Sequence, residues 1–306
     1  MKLLLKPVLF FVALGCVLGA FEQSAQAEWS TYRHDIGRSG VASDAMEVPK
    51  REIWSHTARY KPQPAWPGPA RRDGWHKSDP MKARMIFDWA YHVVMDEDTL
   101  YFGTSSDFKV YALDLTTGEK KWSAFAEGPI RLAPTIYNDR VYFGSDDGLA
   151  YCLNSDTGET VWQHRAAPDG YRLPGNSRIM SIAPVRSGIL VDDGIAYFSG
   201  GVFAYKGAYI CAVSAQTGEA IWKKKMMEAP QGYLLASTDK LYIPRGRINP
   251  VVLNRDGGKL LYANDGGGGS FVVLADDYLF SGPGKTGQID ASRSDSSDHL
   301  VTMEGN

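Results

Sequence analysis

Residues 141–162 read VYFGSDDGLAYCLNSDTGETVW. Val141-Tyr142-Phe143, Ala150-Tyr151-Cys152-Leu153 and Thr160-Val161-Trp162 are short runs rich in β-branched and aromatic residues, the pattern of strands. Glycine and Asp/Asn clusters punctuate them as turns. The stretch also contains Asp156-Thr157-Gly158, the tripeptide that holds the catalytic carboxylate of aspartic proteases. Whether Asp156 is a catalyst or a turn residue is decided by the rest of the chain.

The block recurs. LYFGTSSDFKVYALDLTTGEKKW begins at Leu100 and AYFSGGVFAYKGAYICAVSAQTGEAIW at Ala196. Each copy ends in Thr-Gly-Glu with a tryptophan four residues after the glycine, at Gly118/Trp122, Gly158/Trp162 and Gly218/Trp222. A degenerate copy, KLYIPRGRINPVVLNRDGGKLL, carries Gly257 in this place, and a fifth begins at Phe271. A period near 40 residues is a repeat architecture. With a preceding stretch such as Ala133–Tyr137, each unit supplies four antiparallel strands, A to D, which is a propeller blade. The expectation is an all-β protein, a β-propeller with about five recognisable blades. At the position of Asp156 the other copies carry Thr116 and Gln216, so the carboxylate is dispensable to the motif. Asp156 is read as a turn residue.

The turn explains itself physically. Glycine supplies a positive φ at the hairpin tip. Asp114, Asn154, Ser214 and Asn254 place a short side-chain acceptor ahead of it. The tryptophan is expected between adjacent blades. Cys152 lies six residues before its glycine and Cys211 seven before its own, which puts them on opposite faces of equivalent strands and argues against a disulfide.

Val110 to Trp122 matches throughout the blade motif Val-Tyr-Ala-Leu-Asp-x-x-Thr-Gly-x-x-x-Trp of the PQQ-like (pyrroloquinoline-quinone-type) β-propeller repeat proteins, which the chain resembles. Trp29-Ser30-Thr31-Tyr32-Arg33-His34 to Arg38-Ser39-Gly40 is similar to the entry segment of exported bacterial members. The resemblance implies a seven- or eight-bladed ring. The chain ends at Val301–Asn306 without a final Thr-Gly-x-x-x-Trp, which favours an incomplete, open arc from a truncated product over a closed five-bladed ring.

Residues 1–27 have the form of a signal peptide: Lys2 and Lys6, an apolar run from Pro7 to Ala20, then Ala25-Gln26-Ala27 for cleavage. The apolar core is too short to span a membrane well, and cleavage after Ala27 is favoured over lipidation at Cys16. The expected location is periplasmic or secreted, with no transmembrane span in the mature chain. Residues 28–85 form an entry segment with a Pro-rich loop and an isolated D-type strand at Arg51–His56, positioned to close the last blade. The propeller repeats occupy 86–306. A formal net charge of −2 gives no global pull toward nucleic acid or membrane.

In an A-B-C-D meander the D–A and B–C connections share one rim. The long insertions all fall there: Lys61–Met85, Ala166–Met180 and Asn264–Gly268 between D and A, Gly200–Gly207 and Arg245–Asn249 between B and C. Loops on a rigid scaffold carry function. The candidate binding rim comprises Trp66, Arg71, Arg72, Trp75 and His76 from the first insertion and Tyr171, Arg172, Asn176 and Arg178 from the second. Tyr205, Arg245 and Arg247 complete it. Cations interleaved with aromatic rings suit an anionic or sugar-like envelope ligand, or the acidic segment of a partner protein.

The resemblance also implies a rival. PQQ-dependent quinoprotein dehydrogenases bind quinone and calcium at the propeller's centre, commonly with a vicinal cysteine pair. This chain has no adjacent cysteines, is much shorter, and offers no Glu/Asn/Asp set that carries over. Family members without cofactor serve as binding or assembly scaffolds, and that is the expectation here, with no catalytic residue, no cofactor and no metal. Gly284-Lys285-Thr286 lacks the upstream glycine of a phosphate loop, and the six histidines are scattered without close-spaced pairs.

Overall fold

The computed structural model describes residues 29–42, 52–65, 87–168, 170–175, 178–246, 248–263, 268–269, 271–282, 289–295 and 299–303. The signal-peptide expectation and most of the Pro-rich loop lie outside them. Five four-stranded antiparallel meanders follow one another. Blade one is β1 (Val93–Met95), β2 (Thr99–Gly103), β3 (Lys109–Asp114) and β4 (Lys120–Phe125); blade two is β5 (Thr135–Ile136), β6 (Arg140–Gly144), β7 (Leu149–Asn154) and β8 (Thr160–Arg165). A separate hairpin, β9 (Arg172–Gly175) and β10 (Arg178–Ser181), precedes blade three: β11 (Leu190–Asp192), β12 (Ile195–Gly200), β13 (Ala208–Ser214) and β14 (Ala220–Met226). Blade four is β15 (Leu235–Ala236), β16 (Lys240–Arg245), β17 (Ile248–Asn254) and β18 (Leu260–Ala263). Blade five is β19 (Phe271–Ala275), β20 (Tyr278–Gly282), β21 (Ile289–Arg293) and β22 (His299–Met303).

Burial follows position in the meander. In β7 the four central residues Ala150, Tyr151, Cys152 and Leu153 are all buried, because a middle strand packs a neighbouring blade on each face. In β14, an outermost strand, only Trp222 and Met226 are even half-buried. The tryptophans stitch the blades. Trp122 Nε1 donates to Ser155 O at 2.7 Å, Trp162 to Ala215 O at 2.9 Å and Trp222 to Arg255 O at 2.8 Å, each carbonyl belonging to the next blade's C–D turn.

Those turns have the expected chemistry. The Asp114 carboxylate accepts from the amides of Thr116 and Thr117, and Asn154 Oδ1 from those of Asp156 and Thr157. Asp156 thus sits in a turn. The glycine then returns its N–H to the acceptor residue's own carbonyl, at 2.8–2.9 Å in all four copies, with φ between +63° and +74°. In the fourth copy that glycine is Gly258, not Gly257. Asn254 Oδ1 accepts from the Gly257 amide, so Gly257 takes the place of Thr117, and the positive φ falls one residue later.

The stretch around Arg51–His56 also differs from expectation. Its described residues form no ladder, and blade five supplies four strands of its own. Trp54 instead donates to Leu115 O of blade one at 2.9 Å, the bond a preceding blade's tryptophan would make. Cys152 and Cys211 do lie on opposite faces, yet those faces meet between blades two and three. Both thiols are free and buried in one apolar layer, and burial pushes them up to about 11 and about 12 respectively.

The entry segment seals the axis on the tight-turn side. Carbonyls of Trp29, Ser30, Ile36 and Gly37 accept from the amides of Met95, Ile136, Ala236 and Leu274, at or next to the ends of the A strands of blades one, two, four and five. Arg38 is buried and donates to Leu234 O (3.0 Å), Thr31 Oγ1 (2.6 Å) and Tyr32 O (3.1 Å). Above it Tyr32 stacks on Tyr233 with centroids 3.6 Å apart, and Phe87 packs edge-on to Tyr233 and Phe271. Tyr233 lies over Gly188, where a Cβ would come within 2.2 Å of its ring. The centre is filled with side chains.

Candidate functional site: the D–A/B–C face

A buried ionic lattice underlies this face. Asp146, in the β6–β7 turn, receives Arg131 Nε at 2.7 Å, Arg186 Nε at 2.7 Å and Arg186 Nη2 at 2.9 Å. Arg131 Nη1 reaches on to Asp88 Oδ2 at 2.7 Å and Gln63 O at 2.8 Å, and Asp88 also accepts from the Ala65 amide. Burial opposes ionisation of Asp146, but the Arg186 and Arg131 guanidiniums outweigh it and hold the carboxyl below the usual carboxylate range. Sequence reasoning missed this lattice although a signal existed. Arg131 and Arg186 occupy one repeat position, nine residues before the start of strand B, and Gln231 holds it in blade four. The lattice ties the first D–A connection to blades one, two and three. It is a rigid floor for the loops above.

The rim residues divide. Trp66, Arg71, Arg72, Trp75, His76, Asn176 and Arg247 lie outside the described residues. Tyr171, Arg172 and Arg178 come together on the β9–β10 hairpin or beside it, while Tyr205 belongs to blade three and Arg245 to blade four. The hairpin reaches back to blade one: Arg178 Nη1 donates to Ser105 O at 2.6 Å and its guanidinium lies 4.9 Å over the Phe108 ring. Arg172 pairs with Glu127, and Arg245 with Glu228 and with Asn249 O. Burial lowers the Arg178 and Arg245 guanidinium pKa values. The described rim arginines are therefore engaged within the protein.

Among the described residues this face exposes several large apolar and aromatic side chains beside the Arg172–Glu127 pair. Tyr205 is 79% exposed and Tyr171 69%, joined by Ile179 at 60%, Trp89 at 58% and Met227 at 87%. Among the described residues no cluster of His, Cys, Asp and Glu could hold a metal ion, and no helix is long and apolar enough to cross a membrane.

Four-stranded blades, tryptophan-stitched turns and this loop-bearing face define a PQQ-like β-propeller. The family model described as outer membrane protein assembly factor BamB matches residues 50–282, and the chain belongs to that family. It is also similar to the quinoprotein alcohol dehydrogenase PedH of Pseudomonas putida, 30% identical over 149 residues, covering 45% of this chain and 23% of that relative. The quinoprotein ethanol dehydrogenase of Pseudomonas aeruginosa is 29% identical over 148 residues, covering 45% and 23%. The chain thus spans about a quarter of the length of these relatives. Among solved structures, BamB from Moraxella catarrhalis superposes with a TM-score of 0.53 at 17% identity, covering 67% of this chain and 58% of that one. Quinohemoprotein alcohol dehydrogenase from Comamonas testosteroni gives 0.56 at 16%, covering 69% and 42%. At such identities the structural likeness speaks for the fold alone.

Proposed function

We propose that this chain is a non-catalytic binding module of the bacterial cell envelope that holds a partner protein against its D–A/B–C face. The observation that carries this is the character of that face: its described arginines are paired internally, while Tyr171, Ile179, Tyr205 and Met227 project into solvent. Exposed aromatic and methionine side chains over a rigid floor suit protein contacts. The internal pairing makes a free anion or acidic glycan the weaker ligand. A photo-crosslinking residue at Tyr205 or Ile179 is expected to give a discrete protein adduct in envelope preparations, and one at Thr157, in a C–D turn of the opposite rim, none. Equal labelling from both rims would overturn the assignment.

The second reading, a quinone- and calcium-dependent dehydrogenase, draws on the similarity to the Pseudomonas quinoproteins. The described residues do not fit that group. The Tyr32–Tyr233 stack, Phe87 and Phe271 fill the axis; above it Asp146 is committed to Arg131 and Arg186, and Asp88 is bound through Oδ2 to Arg131, which leaves its buried Oδ1 as a lone oxygen where calcium takes six to eight. Mixing the protein with quinone and calcium and passing it through gel filtration is expected to leave no chromophore on the protein. A retained chromophore would reinstate the enzyme.

A further inference from the structure

We propose that the outer rim of blades three and four docks on an anionic lipid surface. Sheet order defines that rim. β14 and β18 are each the fourth and outermost strand of a meander, so they face outward whatever the number of blades. β14 carries Lys223, Lys224 and Lys225 in succession, all exposed, and beside them Ile221 is 50% exposed. On the neighbouring ridge, β18 follows the exposed Lys259 and bares Leu260 at 58% and Leu261 at 43%. Successive side chains of a strand point to opposite flanks, so the cations fan out. Lys223 Nζ reaches toward blade two and donates to Arg165 O at 3.2 Å. Lys224 leans the other way: a Cβ at Gly258, in the C–D turn of blade four, would come within 2.9 Å of its Cγ. Its stem thus spans from one ridge to the next.

The charges on this rim are free. Among the described residues the lysine ion pairs are Lys121–Asp98 and Lys240–Asp239, and neither lies on these strands. The exposed carboxylates nearest in sequence, Glu219 and Asp256, sit in the C–D turns at one end of the strip, and Glu228 at the other end is held by Arg245. The outer strand of blade one has the same residue types already engaged: Lys121 pairs with Asp98, and Lys109 Nζ lies 4.4 Å over the exposed Phe125 ring. Unpaired lysines beside exposed aliphatic side chains are the composition of a surface that rests in a lipid interface. There the lysine stems follow apolar surface and the ammonium groups meet phosphate. An acidic peptide adding a strand to β14 would use the same charges. Lysines on an edge strand obstruct such pairing, and one added strand would leave Leu260 and Leu261 bare. A flat surface against a convex rim instead touches two adjacent ridges together. Docked in this way, the propeller leaves its D–A/B–C face free at the side.

The test is co-sedimentation of the full chain with phosphatidylcholine vesicles, neutral or containing about one-third phosphatidylglycerol. Every variant keeps residues 1–27, so any affinity of that basic, apolar run is common to all. The chain is expected to prefer the anionic vesicles at least about tenfold. Salt at about 1 M, which shortens the Debye length from about 10 Å to about 3 Å, should remove most of that preference. Lys223→Gln, Lys224→Gln and Lys225→Gln combined are expected to weaken anionic binding at least about thirtyfold, at about fivefold per lysine. The three arginine substitutions at the same positions should retain it. The same charge change on blade one, Lys109→Gln, Lys120→Gln and Lys121→Gln, should alter it less than about threefold, those groups standing more than a Debye length from the docked rim. Leu260→Ser with Leu261→Ser is expected to weaken binding and leave its salt dependence unchanged, and unfolding midpoints check that each variant folds. Equal binding to the two vesicle types, wild-type binding by the blade-three variant, or equal losses from the two triple variants would overturn the proposal. So would lysine-dependent binding of polyglutamate by a chain that ignores the vesicles, which would give the strip to an acidic protein segment. No partner protein enters the vesicle assay, so its outcome is independent of the scaffold function.

Discussion

Asp146→Asn is expected to destabilise the folded chain by about 3–5 kcal/mol, the range for breaking a buried ion pair by removing one partner. The substitution keeps the shape of the side chain and removes its charge. Among the described residues Arg186 then loses the only carboxylate bonded to it, and Arg131 keeps Asp88 alone. Both guanidiniums are at most 6% exposed, so water cannot replace what is lost. The exposed Arg172–Glu127 pair is the internal control: Arg172→Ala is expected to cost no more than about 1 kcal/mol. Acid adds a second signature. The folded Asp146 pKa is depressed, so the unfolded state binds more protons between that value and the ordinary aspartate value of about 3.9. Its contribution is fully present above that range and lost as pH falls through the folded pKa. Urea unfolding at neutral pH and below pH 4 should therefore show a shallower acid loss in the variant. A change under about 1 kcal/mol with an unaltered acid slope would mean that the lattice is ornamental.

The repeat made the fold legible because a blade is local. Strand alternation, Thr-Gly-x-x-x-Trp and the turn acceptors are all written within one unit of about 40 residues, and each unit folds as the next one does. Even the one-residue slip at Gly257/Gly258 arose where two adjacent glycines satisfy the same pattern, and only the φ value and the return bond choose between them. What escaped is what the units do together. Asp146, Arg131, Arg186 and Asp88 come from four separate connections, and their meeting depends on blade geometry. The shared repeat position of Arg131 and Arg186 was visible but has meaning only once that position is known to face the axis. For the rim, the sequence names the arginines but not their partners. Counting arginines cannot reveal that Arg172, Arg178 and Arg245 each find an acceptor in the same chain.

Trp162→Ala should produce a loss of similar size, about 3–5 kcal/mol, for a different reason. The ring is buried between blades two and three, tilted against Tyr142 at 5.9 Å and seated over Gly218, whose missing Cβ leaves room for it. Its indole N–H is not the main term. Tyr142 Oη also donates to Ala215 O, at 3.2 Å, so that carbonyl keeps a partner when the indole is gone. Trp162→Phe, which retains a ring and forfeits the hydrogen bond, should therefore cost markedly less than Trp162→Ala. Trp54 separates packing between blades from packing against a single strand. It makes the same carbonyl bond and sits over Gly118 as Trp162 sits over Gly218, but it is only partly buried and the described residues of its segment join no sheet. Trp54→Ala is accordingly expected to cost less than half of what Trp162→Ala does in urea unfolding. Equal losses would mean that stretch 52–58 is as firmly bound to blade one as a whole blade is to its neighbour.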